Sequence, residues 1–494
     1  MSVQPQSASA YERVGWLLRQ WRTVAGGAEL RRLQPFAALL TEQGHRADAS
    51  RVSRWESGRL RVPVPVIESY ESLLGIERAT LVALAEGVAR SFGERVPARD
   101  TEPSGPATYA EARELVLAAD ARGADWFEWA GWVTQTPKRL PEGALDDVEA
   151  LAPRLVSESA RAVGIGYGTR FEALRRLIDV PDLRTVVMRA VGAHVIASDA
   201  QATLAPIMLI ADVHAEKAVD TLITLLTQPS AQMQLGAVWG LRRKLVRLEV
   251  SPRALAALEA QLAQMLFDAT DEATLIRAAN LIDVMPPAVA ERLRRVRPAL
   301  FAGRSRGPAS SAANRAAAHA TAIRAVAARI EAISGRDLDA VGRAIVEDAY
   351  HADDHDLRHQ SALILSRSPF APAIAEVLIE QTHPPRAADG ATSLMPYLAG
   401  KPERDALVAR LQRPDVDARP TLIALAHTGG GPVPGNADFL SATDVGVRKA
   451  ALYLAGMQQD PLLRKLVKDP DADAAQRAGA CWWLEHGGRV ADGE

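Results

Sequence analysis

From Asp146 onward, almost every segment reads as a short helix with apolar residues three and four positions apart, broken by Pro, Gly and Asp. No alternating strand pattern intervenes. One local form recurs: Gln234-Leu235-Gly236-Ala237, Arg277-Ala278-Ala279-Asn280, Arg358-His359-Gln360-Ser361, Arg448-Lys449-Ala450-Ala451 and Arg477-Ala478-Gly479-Ala480. Each has an acid or serine upstream, namely Ser230, Asp271, Asp356, Asp444 and Asp473. Such a residue caps the first amides of a helix, and the small residues let paired helices approach closely. A chain of 494 residues written in this way is too long for one core. It reads as all-α, in two or three domains.

This pattern resembles HEAT-type helical repeats, although only the last two arginine anchors, 29 residues apart, have a tight spacing. The resemblance implies an α-solenoid over residues 109–300 and 316–494, with one surface free to hold a protein, peptide or nucleic acid. Residues 301–315, with Gly303, Gly307 and Pro308, read as a loop between the two stretches. A second exposed loop is expected over His427–Asn436. Its Gly429-Gly430-Gly431 run lacks the Lys and Ser/Thr of a phosphate-binding loop.

The front of the chain carries a different signal. Over Ala49–Arg61, Asp48 or Ser50 can cap a helix, Val52 and Trp55 fall on one buried face, and Gly58 ends it. Ser50, Arg51, Ser53 and Arg54 are left facing outward. Arg reaches a guanine edge or a phosphate bidentately, and Ser bonds to either a base edge or a backbone oxygen.

Val52-Ser53-Arg54-Trp55-Glu56-Ser57-Gly58-Arg59, followed by Pro63, Pro65, Tyr70 and Leu73-Leu74-Gly75-Ile76, resembles the recognition and fourth helices of Cro/repressor (XRE-type) helix-turn-helix proteins. Phe36–Leu40 resembles that family's second helix and Leu17–Arg22 its first. The resemblance implies a five-helix DNA-binding domain over 11–91. In it Ala49, Ser50 and Arg54 face bases, with Ser53 and Arg46 beside them, and Arg51, Arg59 and Arg61 meet phosphates. Glu56 is implied to pair with a first-helix arginine, Arg19 or Arg22, and Trp55 and Gly58 to hold the fold. Two insertions depart from the family: about five residues within Val24–Leu33 and about five within Thr41–Asp48.

Charge supports this division. The whole chain carries −2, yet residues 13–61 hold ten Arg against four acids. A basic patch confined to the front fits a phosphate-facing surface, whereas the acidic remainder argues against a second extensive one. Only seven of the 58 basic residues are Lys, a bias read as genomic composition in a bacterial source.

Residues 1–10 are expected to be disordered. Pro97, Pro103, Pro106, Gly93 and Gly105 place a linker at 92–108, with the reader head tethered by it. A helix from Tyr109 to about Ala121 follows. Trp126, Trp129 and Trp132 then share a helical face. They suit an intramolecular core, a dimer contact or a small-molecule site.

The single cysteine, Cys481, excludes a disulfide framework and a cysteine zinc site, and is expected to be buried. His351, His355 and His359 are spaced for a metal on one helical face, but Asp356 and Arg358 are what a repeat's helix start requires, so no metal or other cofactor is expected. No catalytic constellation emerges, and the chain is read as a non-enzyme. The expected protein is a cytoplasmic, nucleoid-associated regulator of transcription. Its partners are double-stranded DNA, a second copy of itself in a homodimer, and a protein or peptide effector on the repeats, with no membrane. The alternatives are an interaction scaffold and a HEAT-like enzyme that processes DNA bases.

Overall fold

The structure, a computed structural model, describes every residue except 1–7, 95–104, 136–139, 198, 229, 303–308, 353, 382–387, 414–415 and 493–494. The expected disordered start and most of the expected linker thus lie outside the described residues. Among the described residues the protein is all-helical, with 28 α-helices and one isolated parallel bridge between Ala162 and Val490. No single helix among them is long and apolar enough to cross a membrane.

The chain divides into two compact units, residues 1–142 with 161–176 and 316–494, and residues 143–160 with 177–315. This partition cuts across the expected succession of head, linker and two repeat stretches. The first unit opens with α1 (Ala10–Gln20), α2 (Leu33–Glu42), α3 (Ala49–Glu56), α4 (Val64–Leu74) and α5 (Thr80–Ser91). Sequence chemistry sets these boundaries. Ser9 and Glu12 form a reciprocal capping box at α1, with Ser9 N donating to Glu12 at 2.8 Å. Gly75, at φ +66°, ends α4 in the left-handed conformation that glycine adopts without strain. Helix α5 lacks a cap of its own, and Glu71 of α4 supplies one by accepting from the amides of Ala79 at 2.8 Å and Val82 at 3.1 Å. Burial raises the Glu71 carboxyl to about 8 while those amides pull it back.

Helices α6 (Tyr109–Leu117) and α7 (Gly123–Thr134) pair with each other. Helix α6 is shorter than expected, ending before Ala118. Trp126 and Trp129 are fully buried and meet edge to face at 5.8 Å, so neither offers a surface to a second copy. Trp132 is half-buried and its indole donates to Pro106 O at 3.1 Å. The stripe therefore serves the chain's own core.

Helices α8 (Ala144–Arg161) and α9 (Gly164–Asp179) each contribute to both units. The second unit continues with α10 (Pro181–Ile196), α11 (Leu204–Asp212), α12 (Glu216–Leu225), α13 (Ala231–Val246), α14 (Pro252–Asp268), α15 (Glu272–Ile282), α16 (Pro287–Val296) and α17 (Pro298–Ala302). Within it α11, α13 and α15 stack in succession, as do α12, α14 and α16. Such next-but-one stacking builds a continuous core from short helices, none of which could bury its apolar face alone. The loop expected at 301–315 is narrower, since α17 reaches Ala302 and α18 (Ala309–Ser334) begins at Ala309.

The first unit resumes in α18 and continues as five helix pairs. They are α19 (Ala340–His351) with α20 (His355–Ser366), α21 (Ala371–Gln381) with α22 (Ala388–Leu398), α23 (Arg404–Leu411) with α24 (Ala418–Thr428), α25 (Asn436–Leu440) with α26 (Val445–Met457), and α27 (Leu462–Lys468) with α28 (Ala474–His486). The second helices α20, α22, α24, α26 and α28 pack in series. A two-part device starts several of them. An Asp caps the helix and an Arg four residues on reaches back to the carbonyls of the preceding turn. Asp444 accepts from Val447 N at 2.8 Å, and Arg448 donates to Ala442 O at 2.7 Å. Asp473 and Arg477 repeat this on α28, as Asp339 and Arg343 do on α19. On α20 the cap is Asp354, accepting from Asp356 N at 2.7 Å, and not the expected Asp356. Cys481 is half-buried, more open than its sequence context implied.

Gly429–Gly431 does form the expected loop, but it is tied down. Arg404 donates to Gly431 O at 2.6 Å and Pro432 O at 2.9 Å, and Gln458 accepts from Gly431 N at 3.1 Å.

Candidate nucleic-acid interface

Helix α3 is set by one capping acid and two apolar residues. Asp48 accepts from Arg51 N at 2.7 Å, while Val52 and Trp55 are buried against the other head helices. An eight-residue helix so anchored, with Glu56 also turned inward, presents its other side chains outward. Ser50, Ser53 and Arg54 are exposed, as are Arg46 before the helix and Arg59 after it. Ala49, Arg51 and Arg61 are partly exposed. The Arg51 guanidinium lies 5.7 Å from the Trp55 ring centroid, a cation–π contact that holds it against the helix. None of these five arginines forms an ion pair among the described residues. Every outward residue expected of this helix is thus accessible on one surface.

Beneath that surface Glu56 is braced by a buried fork. Arg22 Nε and Nη2 donate to its two oxygens at 2.6 and 2.7 Å, and the Tyr70 hydroxyl donates at 2.9 Å. Burial works against the Arg22 charge, but the Glu56 carboxylate outweighs it and raises the Arg22 pKa. Burial, seconded by Glu56, holds the Tyr70 hydroxyl protonated to well above its ordinary range. Of the two arginines implied as partners of Glu56, Arg22 is the one that reaches it. Arg19 instead pairs with Asp339 of the α18–α19 turn. Glycine is required where α1 and α3 cross, because a Cβ on Gly15 or Gly58 would lie 2.5 Å from the backbone of Trp55 or Glu12.

Both expected insertions have a structural form. After α1 the chain continues through a π-helical turn, Trp21–Ala25, before the loop to α2. Between α2 and α3 runs a connection of six residues, Gln43–Asp48, that places Gly44 at φ +90°. Thr41 Oγ1 donates to Ala47 O at 2.9 Å, and His45 Nε2 meets Ser69 Oγ at 2.7 Å. Burial lowers the His45 pKa. Arg46 is thereby projected beside α3 from an ordered loop.

The head does not stand apart from the repeats. Helix α1 packs on α19 and α20, and α5 packs on α20. Arg13, fully buried, pairs with Asp348 and donates to Ser361 Oγ at 3.0 Å, with its guanidinium 4.9 Å from the Phe92 ring. Trp16 lies tilted against Phe370 with ring centroids 6.3 Å apart, and the Trp21 indole donates to Arg367 O at 2.7 Å. The expectation of a tethered head therefore gives way to one docked by buried charge. Apart from Phe92, these partners are more than 300 residues away in the chain, and no local signal in the sequence announces them.

The histidine trio gains no support. No group of three metal-ligating side chains occurs among the described residues. His355 and His359 stack at 6.1 Å, His359 Nδ1 meets the Tyr397 hydroxyl at 2.9 Å, and the His351 side chain lies outside the described residues.

No family model matches the chain, and no curated protein matches it. Among solved structures, the crystal structure of an engineered protein is similar at 16% identity, covering 76% of this chain and 98% of its own, with a TM-score of 0.24. A likeness that loose bears on neither fold nor function.

Proposed function

We propose that the protein is a sequence-specific DNA-binding regulator of transcription that reads duplex DNA with α3. The observation that carries this reading is the set of five exposed or partly exposed arginines on and beside α3 that form no ion pair, a property they share in the head with Arg31 and Arg32, whereas Arg13, Arg19 and Arg22 are bound to acids. Ala49, Ser50 and Arg54, with Ser53 beside them, suit base edges. Arg46, Arg51, Arg59 and Arg61 suit phosphates.

One such head buries little surface, so specific binding calls for two copies on half-sites about one helical turn apart. The second copy joins through the region after residue 108, using surfaces other than the buried Trp126 and Trp129. A protein or peptide on the repeats acts as effector. The protein then works without catalysis or cofactor, in the cytoplasm on the nucleoid. Anisotropy titration of a labelled random duplex at low and high salt tests the reading. Binding that weakens steeply with salt supports it, and indifference to duplex at low ionic strength ends it.

A further inference from the structure

We infer that residues 487–492 are an exchangeable strap, filling a carboxylate slot on α7 and α9 that an extended acidic peptide can take over to reposition the reading head. The inference rests on the proposed DNA face for its consequence, but not for its geometry.

The strap has three parts. Gly487, at φ +82°, turns the chain sharply out of α28. Val490 then pairs with the backbone before α9, its amide donating to Arg161 O at 3.0 Å and its carbonyl accepting from Val163 N at 2.9 Å. Two residues on, Asp492 accepts from Arg170 Nη1 at 2.9 Å and from the first amide of α7, Gly123 N, at 2.8 Å. The Asp492 and Arg170 side chains are only 4% and 1% exposed. The slot is shaped for a carboxylate, since a Cβ on Gly123 or Gly166 would come within 2.8 or 2.9 Å of Asp492 Oδ2.

The slot adjoins the head's anchorage. The first turn of α7, which binds Asp492, also holds the α4–α5 turn, through Arg122 with Glu77 and Asp125 with Arg78 at 3.2 Å. Glu77 is held above its usual range by burial, and Asp492 adds to that effect against the pull of Arg122. Charge at the slot is therefore felt by the head. Simple opening would take the Asp492 carboxylate from a buried Arg170 guanidinium, which also donates to Ala121 O at 2.8 Å and Gly166 O at 3.3 Å, and a bound carboxylate removed from a buried cation is costly. The slot consequently exchanges one carboxylate for another and is not left empty. Its ligand is an extended segment with an apolar residue for the Val163 register and an acid two residues later.

The test uses the full chain and amide exchange read by mass spectrometry. Asp492→Asn should raise exchange about tenfold over residues 121–126 and 161–164, since a charge-assisted bond is replaced by a neutral one. A synthetic peptide of residues 487–494, added in excess to the unaltered protein, should raise exchange in its own 487–492 segment, and the same peptide carrying Asn for Asp should not. The duplex dissociation constant should shift at least about threefold under both treatments, a change of about 0.7 kcal/mol. Unchanged exchange under both treatments overturns the strap. Raised exchange with unchanged duplex affinity overturns its link to the head. Failure of the unaltered protein to bind any duplex sinks the DNA reading alone, because exchange still reports the slot.

Discussion

Two faces of the N-terminal head, the α1 side and the α3 side, use arginine in opposite ways. On the α1 side Arg13 and Arg19 are matched to Asp348 and Asp339, and Arg22 lies between the faces, matched to Glu56. On the α3 side Arg46, Arg51, Arg54, Arg59 and Arg61 have no such match. Buried guanidinium groups must be neutralised because desolvating an unpaired charge is prohibitive. Exposed ones are under no such pressure: some surface arginines elsewhere pair with acids, as Arg292 does with Glu259 at 2.6 Å, and others, such as Arg253 and Arg464, do not. Arg51 and Arg54 on α3, with Arg46, Arg59 and Arg61 flanking it, form a local cluster of unpaired charge. They suit a counter-charge that arrives from outside.

The largest effect should come from breaking a matched pair. Arg22→Ala leaves Glu56 buried with only Tyr70 as partner and should lower unfolding free energy by about 3–5 kcal/mol. The Arg22→Met, Glu56→Leu double variant should recover most of that loss. Urea unfolding of the three proteins checks it, and additive losses would show that the pair is not the brace described.

Acidification separates the repeats from the α3 face. His427 is enclosed between Pro396 O at 3.0 Å and the Tyr453 hydroxyl at 3.1 Å, and burial lowers its pKa from 6.5 to about 4. Because the folded state resists that proton, its contribution is complete above pH 6.5 and is lost as pH falls from 6.5 toward 4. The loss amounts to no more than about 3 kcal/mol. Arginine keeps its charge over this range. Glu71, with its carboxyl raised to about 8, gains stability over the same range, so the His427 contribution is read by difference: relative to His427→Asn, the unfolding midpoint of the unaltered protein should drop between pH 6.5 and 4.5, while duplex affinity measured on still-folded protein stays level.

What could be read from the sequence follows from how local the physics is. The outward and inward sides of α3, its Asp48 cap and its Gly58 stop all depend on neighbours within one or two turns, and the structure places them as read. Four of the five repeat caps were legible for the same reason; Asp356 failed because Asp354 stands two residues earlier with the same chemistry. The choice of Arg22 over Arg19 for Glu56 depends on how α1 and α3 cross. The docking of Arg13 on Asp348 depends on a fold closed over more than 300 residues. A Pro- and Gly-rich stretch after the head suggested separation. Buried charge on α1 determined the outcome instead.

A smaller effect distinguishes the unmatched face by function. Arg54→Ala should leave stability within about 0.5 kcal/mol of the original, as expected of an exposed residue that makes no ion pair. It should cost about 1–3 kcal/mol in binding to a preferred duplex and relax the preference at one position. Competition between preferred and scrambled duplexes measures both. An Arg54 variant that bound as before but unfolded early would assign this residue to the matched class and reverse the comparison.

The smallest effect is the most specific to phosphate contact. Arg59 follows Gly58, beyond the end of α3, exposed and outside any ion pair, and the proposed reading gives it a phosphate to meet. Arg59→Ala should weaken preferred and scrambled duplexes alike. It should also reduce the slope of log affinity against log salt by about one, the release of one condensed counterion. Binding isotherms at four or more salt concentrations resolve a change of that size. A loss confined to the preferred duplex, with the slope unchanged, would move Arg59 from backbone contact to base readout and widen the reading surface past the end of α3.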